Sequence, residues 1–386
     1  MHHRLKTAAS PIRRAALAFA AVAAILAGCA STPAPADANK AASGEAGPVF
    51  YPALPNPPRV QYLTTIVSER DLAAERDSFA DFIAGEEKKE QRLVQPYGVA
   101  MHEGRLYVAD TGAGGVSIFD LNTKRYSFMA GAGPGRLKRP INIRIDRDGT
   151  RYVTDTARDQ VLVYDRDGNF LRAFGSQGQF RPVDVAIAGD KLYVTDIAHH
   201  EVQVLDKATG TLRFKFGKAG SGPGELFHPT NIALGPDGDV YVVETSNYRV
   251  QRFTQDGNPV RSYGEVGSTP GTFARPKGIA MDRAGNMLVG DTAFQNVQMF
   301  DGQGRLLMFF GQPEGGTDGI NLPAGVTVDY DNVAVFKRYA HPKFKVEYLV
   351  LVASQYGPNK VDVFGFGKLE GMEYPDRRER TPQPAS

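Results

Sequence analysis

The chain has very little cysteine, no tryptophan and no hydrophobic run long enough for a stable membrane helix. Cys29 is its single cysteine, so the remainder of the chain can form neither a disulfide nor a covalent haem attachment. The apolar run at residues 15–26 is too short to cross a bilayer comfortably as a mature helix. A folded domain in this chain must therefore be stabilised by packing.

Glycine and proline are abundant, with 42 and 25 residues, and tyrosine and phenylalanine supply all the aromatic side chains. This composition is typical of many short strands joined by turns. The 45 basic residues include four in the first 28, where no acidic residue occurs, which leaves 41 basic against 43 acidic side chains elsewhere. A balance so near neutrality favours neither nucleic acid nor an anionic membrane surface as a partner.

The N-terminal segment has the layout of an export signal. A basic stretch at residues 4–14 precedes the apolar run, which ends in Leu26-Ala27-Gly28-Cys29. These four residues resemble the bacterial lipobox. The resemblance implies that residues 1–28 are a lipoprotein signal peptide and that Cys29 carries diacylglycerol and an acyl chain such as palmitate. An uncleaved anchor helix that ends at Cys29 is the alternative, and both readings place the domain outside the cytoplasm.

Membrane choice and tether length are also expectations. If the sorting rules of enteric lipoproteins apply, Ala30 after the cysteine favours the outer membrane over the outer face of the cytoplasmic membrane. Residues 29–58 are rich in alanine, proline, serine and glycine and show no apolar periodicity, so we expect a disordered tether. Residues 371–386 are expected to be a disordered tail.

Internal repetition organises the rest of the chain. Six units recur at intervals of 42 to 47 residues, and each of the first five contains four short apolar segments separated by turn residues. Four strands in a unit of this length are the pattern of one propeller blade. The units begin at Pro96, Pro140, Pro182, Pro229, Pro276 and Pro323.

The fourth unit shows a family resemblance most clearly. It reads GPGELFHP at 222–229, YVVE at 241–244 and VQRF at 250–253. This unit resembles the NHL repeat, and the resemblance recurs along the whole repeated region. It implies an all-β, six-bladed β-propeller, which we place at residues 95–370 and expect to be monomeric.

The two ends of the repeat predict how the ring closes. The sixth unit ends with its third strand at 361–364, and an alternating segment at 59–66 precedes the first unit. We expect residues 59–66 to supply the fourth strand of blade 6, because this pairing removes an open seam with unpaired edges.

Two segments depart from the repeat. Residues 68–91 begin with a sequence like a capping box and place Leu72, Phe79 and Phe82 near helical spacing, so residues 59–94 are predicted to hold the closing strand and a short helix. Blade 6 contains an insertion between its first and second strands, and residues 331–340 within it are predicted to form a short helix.

The connections of a propeller divide between two faces. The first face carries the segment before each first strand and the turn after each second strand, and the second face carries the other turns. Propellers usually bind through the first face. There, each second strand ends in an acidic residue or in Ser354, and these carboxylates either line a cation-binding funnel or cap their own turns. We favour capping, because the acidic residue recurs in nearly every blade and every blade has turn N–H groups that need an acceptor. The acidic residues are Asp110, Asp155, Asp196, Glu244 and Asp291.

Residues that break the repeat are better binding candidates. Three consecutive units place a polar side chain two positions after the proline, where the others place glycine, and the turns after the second strands carry basic and aromatic residues. Single residues of such loops are often merely solvated. The candidate partner-binding residues are Asn142, Arg158, Asp184, His199, His200, Asn231, Glu244, Tyr248, Arg249 and Phe294.

No catalytic residue, metal ligand or cofactor is assigned from the sequence. The histidines lack the spacing of a zinc motif, and no nucleophile elbow, phosphate loop or metalloprotease motif is present. A divalent metal in the funnel stays open as an alternative.

Three functions are compatible with these patterns. The first is a lipid-tethered scaffold that binds a protein, peptide or glycan in the cell envelope, as NHL propellers serve as interaction domains. The second is an enzyme that resembles six-bladed metal-dependent lyases and lactonase-like hydrolases. In this chain, the residues that would hold a hard cation are Asn142, Asp184, Asn231 and Glu244. The third is a structural envelope component that contacts only its assembly partner. We favour the scaffold, because no concentrated catalytic set is visible.

Overall fold

Short apolar strands and their turns fold as antiparallel sheets around a central axis. The computed structural model describes residues 47–72, 90–312 and 319–374. Within these ranges the strands form five four-stranded sheets and one five-stranded sheet. The prediction of an all-β, six-bladed propeller is confirmed.

The strands follow the predicted repeat closely. Two strands precede it, β1 Phe50–Tyr51 and β2 Val60–Ile66. Blade 1 contains β3 Pro96–His102, β4 Arg105–Asp110, β5 Gly115–Asp120 and β6 Arg125–Met129, and blade 2 contains β7 Pro140–Ile145, β8 Arg151–Asp155, β9 Gln160–Tyr164 and β10 Phe170–Phe174. Blade 3 contains β11 Pro182–Ala188, β12 Lys191–Asp196, β13 Glu201–Asp206 and β14 Leu212–Phe216. Blade 4 contains β15 Pro229–Leu234, β16 Val240–Glu244, β17 Arg249–Phe253 and β18 Pro259–Tyr263. Blade 5 contains β19 Pro276–Met281, β20 Met287–Asp291, β21 Asn296–Phe300 and β22 Leu306–Phe310, and blade 6 contains β23 Pro323–Asp329, β24 Phe344–Ser354 and β25 Val361–Leu369.

The hydrophobic core lies between neighbouring blades. The first strand of each blade contacts the first strands of the blades on both sides, and β23 of blade 6 contacts β3 of blade 1. Tyr107 of blade 1 and Leu162 of blade 2 belong to one buried cluster, and Val108 of blade 1 shares another with Leu351 of blade 6. Each blade can bury both of its apolar faces only against its neighbours, which is why the ring must close.

The predicted closing strand is confirmed. β2 pairs antiparallel with β25, from Val60 opposite Phe366 to Ile66 opposite Val361. The outer strand of blade 6 therefore comes from the N-terminal side of the repeat.

The predicted extent of the disordered tether is wrong at its C-terminal end. β1 adds a fifth strand outside β2, with Phe50 opposite Gln61 and Tyr51 opposite Val60. Phe50 is buried and packs on Phe344 at a ring distance of 5.6 Å. Phe50 and Tyr51 bury apolar surface against blade 6. The overall composition of residues 29–58, which is dominated by small residues and proline, does not reveal this contribution.

The predicted disordered tail also needs correction at its start. The Tyr374 hydroxyl donates to Pro58 O at 2.8 Å and accepts from Leu369 N at 2.7 Å. The Arg59 guanidinium lies 5.4 Å from the Tyr374 ring. Residues 371–374 are therefore held on the outer edge of blade 6, and residues 375–386 lie outside the described residues.

The segment after β2 begins as predicted. Ser68 Oγ accepts from Arg70 N at 3.3 Å, and Asp71 Oδ2 accepts from Val67 N and Ser68 N. These bonds initiate a 3-10 helix at Glu69–Leu72, and Leu72 is buried between blades 1 and 6. Residues 73–89, with the rest of the predicted helix, lie outside the described residues.

The insertion in blade 6 forms the predicted short helix and fastens the seam. α1 spans Val333–Phe336 and continues as a 3-10 helix at Lys337–Tyr339. Asn332 Oδ1 accepts from Gly104 N of blade 1 at 2.6 Å, and Gln61 Oε1 of β2 accepts from His341 N at 3.0 Å. The insertion thus joins blade 1 and the closing strand on the second face. None of the helices in the described ranges has the length and apolarity needed to cross a membrane.

Candidate functional site

The repeated carboxylates cap the connections of the first face. Asp110 is fully buried, and its Oδ1 accepts from Gln95 N at 2.9 Å and from Ala113 N at 3.0 Å. Its Oδ2 accepts from Val94 N at 2.7 Å. The carboxylate therefore ties the segment before the first strand to the turn after the second. The capping interpretation is confirmed at Asp110 and in the same arrangement at Asp155, Asp196 and Asp291.

Glu244 and Arg249 form an internal ion pair of blade 4, which corrects their expected place on the rim. Arg249 Nε donates to Glu244 Oε1 at 2.6 Å, and Gln251 Nε2 donates to the same oxygen at 2.7 Å. Phe227 N donates to Glu244 Oε2 at 2.9 Å. The remaining guanidinium donors of Arg249 bind backbone carbonyls in the preceding loop, at Ser221, Gly222 and Glu225.

The polar residues near the axis are buried, and Asp184 joins its two neighbouring blades. Asp184 is fully buried, and its Oδ2 accepts from Arg144 Nη2 of blade 2 at 2.8 Å and from Ile232 N of blade 4 at 3.1 Å. Burial raises the pKa of Asp184, although the Arg144 guanidinium opposes this shift. Asn142 and Asn231 are 1% exposed, and Asn142 Nδ2 has no hydrogen-bond partner among the described residues.

Glycine replaces these polar residues where the first strands come closest. A Cβ at Gly325 of blade 6 would lie 2.3 Å from Tyr97 O of blade 1. A Cβ at Gly98 would lie 2.1 Å from Asn142 Oδ1. The division between glycine in blades 5, 6 and 1 and polar residues in blades 2 to 4 therefore follows from the space between adjacent blades as much as from any ligand.

His199 lies beside a possible cation site in blade 3. Its Nδ1 is 2.7 Å from Asp196 Oδ2, and together with Glu201 these residues are the one His, Cys, Asp and Glu group in the described chain with ligand atoms within 4.8 Å of one another. Lys215 Nζ lies 2.9 Å from Glu201 Oε2. Gln203 Nε2 donates to both carboxylates. A metal ion would have to displace this ammonium and this amide.

His200 and Tyr248 occupy equivalent positions in the turns after the second strands of blades 3 and 4. His200 stacks on Phe227 at a ring distance of 4.8 Å, and its Nδ1 accepts from His228 N at 3.0 Å. Burial, with the neighbouring His228, lowers the pKa of His200. Phe227 and Tyr248 are 38% and 36% exposed. The predicted aromatic rim is therefore accessible to solvent at Phe227 and Tyr248.

The other predicted rim residues are less exposed than expected. Arg158 donates through Nε to Gln160 Oε1 at 2.9 Å and through Nη1 to Arg136 O. Phe294 is half-buried in the turn capped by Asp291. Cys29, the predicted lipid attachment site, lies outside the described residues.

Tyr97, which sequence reasoning missed, closes the axis. It is buried with Ile141, Val183 and Ala324 in an apolar cluster. Its hydroxyl lies 3.5 Å from Asn231 Oδ1 of blade 4, on the opposite side of the ring from blade 1. The phenol therefore crosses the axis and separates the two ends of the channel.

Lys277 lies beside Tyr97 at the same level and was also missed. Its Nζ is 5.5 Å from the Tyr97 ring centroid and donates to Gln355 Oε1 of blade 6 at 3.3 Å. Burial and the nearby Arg275 lower the pKa of Lys277 to about 8. Both residues directly follow a unit's proline, so comparing that position among the units would have shown them to be irregular.

The residues directly before the prolines lie around the first-face entrance to the axis, next to Tyr97 and Lys277. Arg139, Arg181 and Arg275 are exposed there. Arg181 Nε lies 3.8 Å from Asp159 Oδ1. The guanidinium groups of Arg139 and Arg275 have no ion-pair partner in the described part of the chain. The rim of the first face is therefore rich in basic side chains.

A cavity of about 280 Å³ occupies the second-face end of the channel. Its wall is mostly apolar and includes Ile187, Leu234 and Met281, with Arg144 as its one charged residue within the described ranges. Its volume is at the lower limit of small-molecule sites. Tyr97 separates it from the first face.

Comparisons with known proteins agree with the fold. The chain is 30% identical over 141 residues to Protein brain tumor of Drosophila melanogaster, a match over 34% of this chain and 13% of that protein. A gluconolactonase, XC5397 from Xanthomonas campestris, aligns over 79% of this chain and 96% of its own with 18% identity and a TM-score of 0.53. Virginiamycin B lyase from Staphylococcus aureus aligns over 70% of this chain and 80% of its own, with 14% identity and a TM-score of 0.50. No family model matches the chain. At these identities the structural matches show the fold alone, a six-bladed β-propeller whose repeats are NHL-like.

Proposed function

We propose that this chain is a membrane-tethered, extracytoplasmic scaffold that binds a protein or peptide partner in the cell envelope through its first face. One observation carries the proposal. The first face exposes irregular aromatic and basic side chains, such as Phe227, Tyr248 and Arg139, around an axis closed by Tyr97. A broad rim of this kind suits a macromolecular surface better than a small substrate.

The tether belongs to the same proposal. The sequence ending at Cys29 supplies the lipid attachment site, and the first strand of the domain begins at Phe50. The connection between lipid and propeller is therefore shorter than the sequence suggested. It reaches the domain at blade 6, and the outer membrane is the destination we favour.

The enzyme alternative does not fit the residues proposed for it. Glu244 is bonded to Arg249 inside blade 4, and Asp184 is bonded to Arg144 and to a backbone N–H. Two guanidinium groups thus hold the two carboxylates that would have to share a divalent ion, and a cation beside them is electrostatically disfavoured. We derive no reaction from this set.

Site-specific photocrosslinking of the full chain in native membranes tests the proposal. A benzophenone side chain at Tyr248, on the first face, should give a discrete covalent adduct with one protein. The same side chain at Leu171, which is 46% exposed on the outer strand of blade 2, should give none. Phe227→Ala should weaken the adduct formed from Tyr248. Equal adducts at both positions, or adducts only at Leu171, would contradict the use of the first face.

Mass spectrometry of the N-terminal peptide tests the tether separately. We expect Cys29 at the mature N-terminus with the added mass of diacylglycerol and an acyl chain. Cys29→Ser should release the protein from the membrane fraction or leave it uncleaved. An unmodified Cys29 in membrane-bound protein would disprove lipid anchoring.

A further inference from the structure

Lys277 is the one cation among the six equivalent residues that directly follow the unit prolines. These residues lie at the start of the innermost strands, on the first-face side of the channel. Because the six residues occupy the same position in each blade, the fold of a blade does not explain why one of them is a lysine. The six are Tyr97, Ile141, Val183, Thr230, Lys277 and Ala324.

The ammonium group of Lys277 is poorly compensated. It is half-buried, its hydrogen-bond acceptor is the neutral amide of Gln355 at 3.3 Å, and no carboxylate of the described residues lies within ion-pair distance. Arg275 is close enough to repel the ammonium group, and the Tyr97 ring, whose centroid is 5.5 Å from Nζ, attracts it only weakly. Burial of an unpaired charge costs folding free energy, and a methionine of similar length would fill the same space without that cost. A lysine at this position therefore suggests a ligand that supplies the missing negative charge.

The surroundings define what kind of anion fits. Tyr97, Ile141, Val183 and Ala324 form an apolar floor beside the ammonium group. A single ammonium with one amide neighbour matches one carboxylate, whereas a phosphate group is usually held by several N–H donors. Apolar side chains next to that carboxylate would contact the floor.

The rim of the first face carries further cations that could bind carboxylates. Arg139 and Arg275 lie beside the entrance with exposed side chains. The nearby carboxylates of Asp155 and Asp291 are buried and point at backbone N–H groups, so they do not pair with these arginines. Free cations around a partly apolar floor attract an acidic ligand and orient it toward the axis.

We propose that Lys277 binds a carboxylate of an acidic, partly apolar peptide segment, with Arg139 and Arg275 binding further carboxylates at the rim. This inference rests on the proposed function and names the class of partner. The carboxylate comes from a Glu or Asp side chain or from a peptide C-terminus. Both sources present the same group to the ammonium.

Fluorescence anisotropy with the full chain in nonionic detergent tests this inference. The probe is a labelled nonapeptide of three Phe-Glu-Gly repeats, and the matched peptides carry Gln or Lys in place of Glu. An amidated version separates the side-chain carboxylate from the terminal one. A labelled ten-nucleotide oligouridine tests single-stranded RNA as a different class of partner.

We expect the Glu peptide to bind at least ten-fold more tightly than the Gln peptide at low salt, because one charge contact in a partly buried site contributes about ten-fold and the Gln peptide also loses the contacts at the rim. Lys277→Met should reduce that affinity about ten-fold and Lys277→Arg should restore part of it, since the Arg variant keeps the charge. Arg139→Gln, a change on an exposed side chain, should weaken binding without affecting folding. Arg147→Met, which removes an exposed cation from the second face, is the matched control and should bind normally.

Several results would overturn the inference. They are equal affinities for the Glu and Gln peptides, unchanged binding after Lys277→Met combined with Arg139→Gln, or tighter binding of oligouridine than of the Glu peptide. If the Tyr248 crosslink survives in that double variant, the first face still binds a partner and only the acidic class is wrong. If the Tyr248 crosslink is also absent from the unmodified chain, the proposed function itself fails.

Discussion

The two faces of the ring use the same charged residue types in opposite ways. On the first face, Asp110 and Asp155 are buried and accept hydrogen bonds from neutral backbone N–H groups. On the second face, carboxylates in the turns meet basic side chains, as in Asp239 with Arg252 at 2.6 Å and Asp146 with Lys207 at 2.5 Å. Arg252 and Lys207 are therefore neutralised in second-face turns, whereas Arg139 and Arg275 on the first face have no carboxylate partner among the described residues.

This difference shows why a near-neutral composition says little about partners. A ring can carry balanced charge overall and still present a basic rim, because what matters is which carboxylates are exposed near which cations. The hydrogen bonds within the first-face turns determine which carboxylates remain available to basic side chains. The Asp155 carboxylate directs its oxygens at the backbone N–H groups of its own blade and not at the exposed Arg139 guanidinium.

Two arginines on one strand offer the strongest test of the contrast. Arg249 and Arg252 both belong to β17, and they bind buried Glu244 and exposed Asp237 with Asp239, respectively. Arg249→Met should cost about 3 to 5 kcal/mol because it leaves a buried charge without its partner. Arg252→Met should cost about 1 kcal/mol or less. Urea unfolding of both variants, with and without added salt, measures the difference, and similar costs would break the contrast.

The capping carboxylates give the next largest effect. Asp155→Ala removes the acceptor for Lys138 N, Arg139 N and Ala157 N at once. We expect a loss of about 3 kcal/mol, since three partly buried N–H groups lose their acceptor at once. Asp120→Ala in a second-face turn should cost about 1 kcal/mol, because water replaces the carboxylate there. The thermal unfolding midpoints of the two variants provide the measurement, and a smaller loss for Asp155→Ala would contradict the assignment.

Lys277→Met should stabilise the protein, in contrast to the two changes above. The unpaired ammonium costs about 1 to 2 kcal/mol at pH 7, a discounted value for a group that is only partly buried. The pKa of Lys277 is lowered to about 8 from 10.5. The folded state therefore binds this proton less well than the unfolded state, so the cost is fully present below pH 8.

The pH dependence gives this prediction its check. The stability advantage of Lys277→Met should shrink as pH rises from 8 to 10.5, because wild-type Lys277 then becomes neutral in both states. Arg275 and Tyr97 are the charged and titratable groups facing the ammonium. Arg275 stays charged in this window, and burial raises the pKa of Tyr97 above it. An advantage that does not change with pH would point to packing instead of charge.

The smallest effect concerns closure of the ring on the second face. Gln61→Ala removes the bond from His341 N to Gln61 Oε1 at 3.0 Å and the weaker one from Gln61 Nε2 to Tyr339 O. We expect a loss of about 1 kcal/mol together with faster hydrogen exchange in β2. Hydrogen-exchange mass spectrometry reports on β2 directly. Unchanged exchange would mean that the insertion does not fasten the seam.

The sequence predicted the fold better than it predicted the site. The prolines, the acidic strand ends and the alternating segment at 59–66 repeat at fixed intervals, and each reports a local requirement of a blade. Phe50 and Tyr51 fall within the predicted tether because the composition of residues 29–58 carries no sign of their contacts with blade 6, which are distant in sequence. Glu244 and Arg249 were placed on the rim for a related reason, since their ion pair depends on side-chain direction within blade 4.

By itself, the sequence determined the number of blades, the capping of their turns and the strand that closes the ring. These features depend on local hydrogen bonding and on apolar periodicity, which are written within each unit. Only the tertiary structure decided that Tyr97 crosses the axis and that Lys277 is left without a carboxylate. Those outcomes depend on which side chains from different blades meet at the centre, and that geometry exists only once the ring has closed.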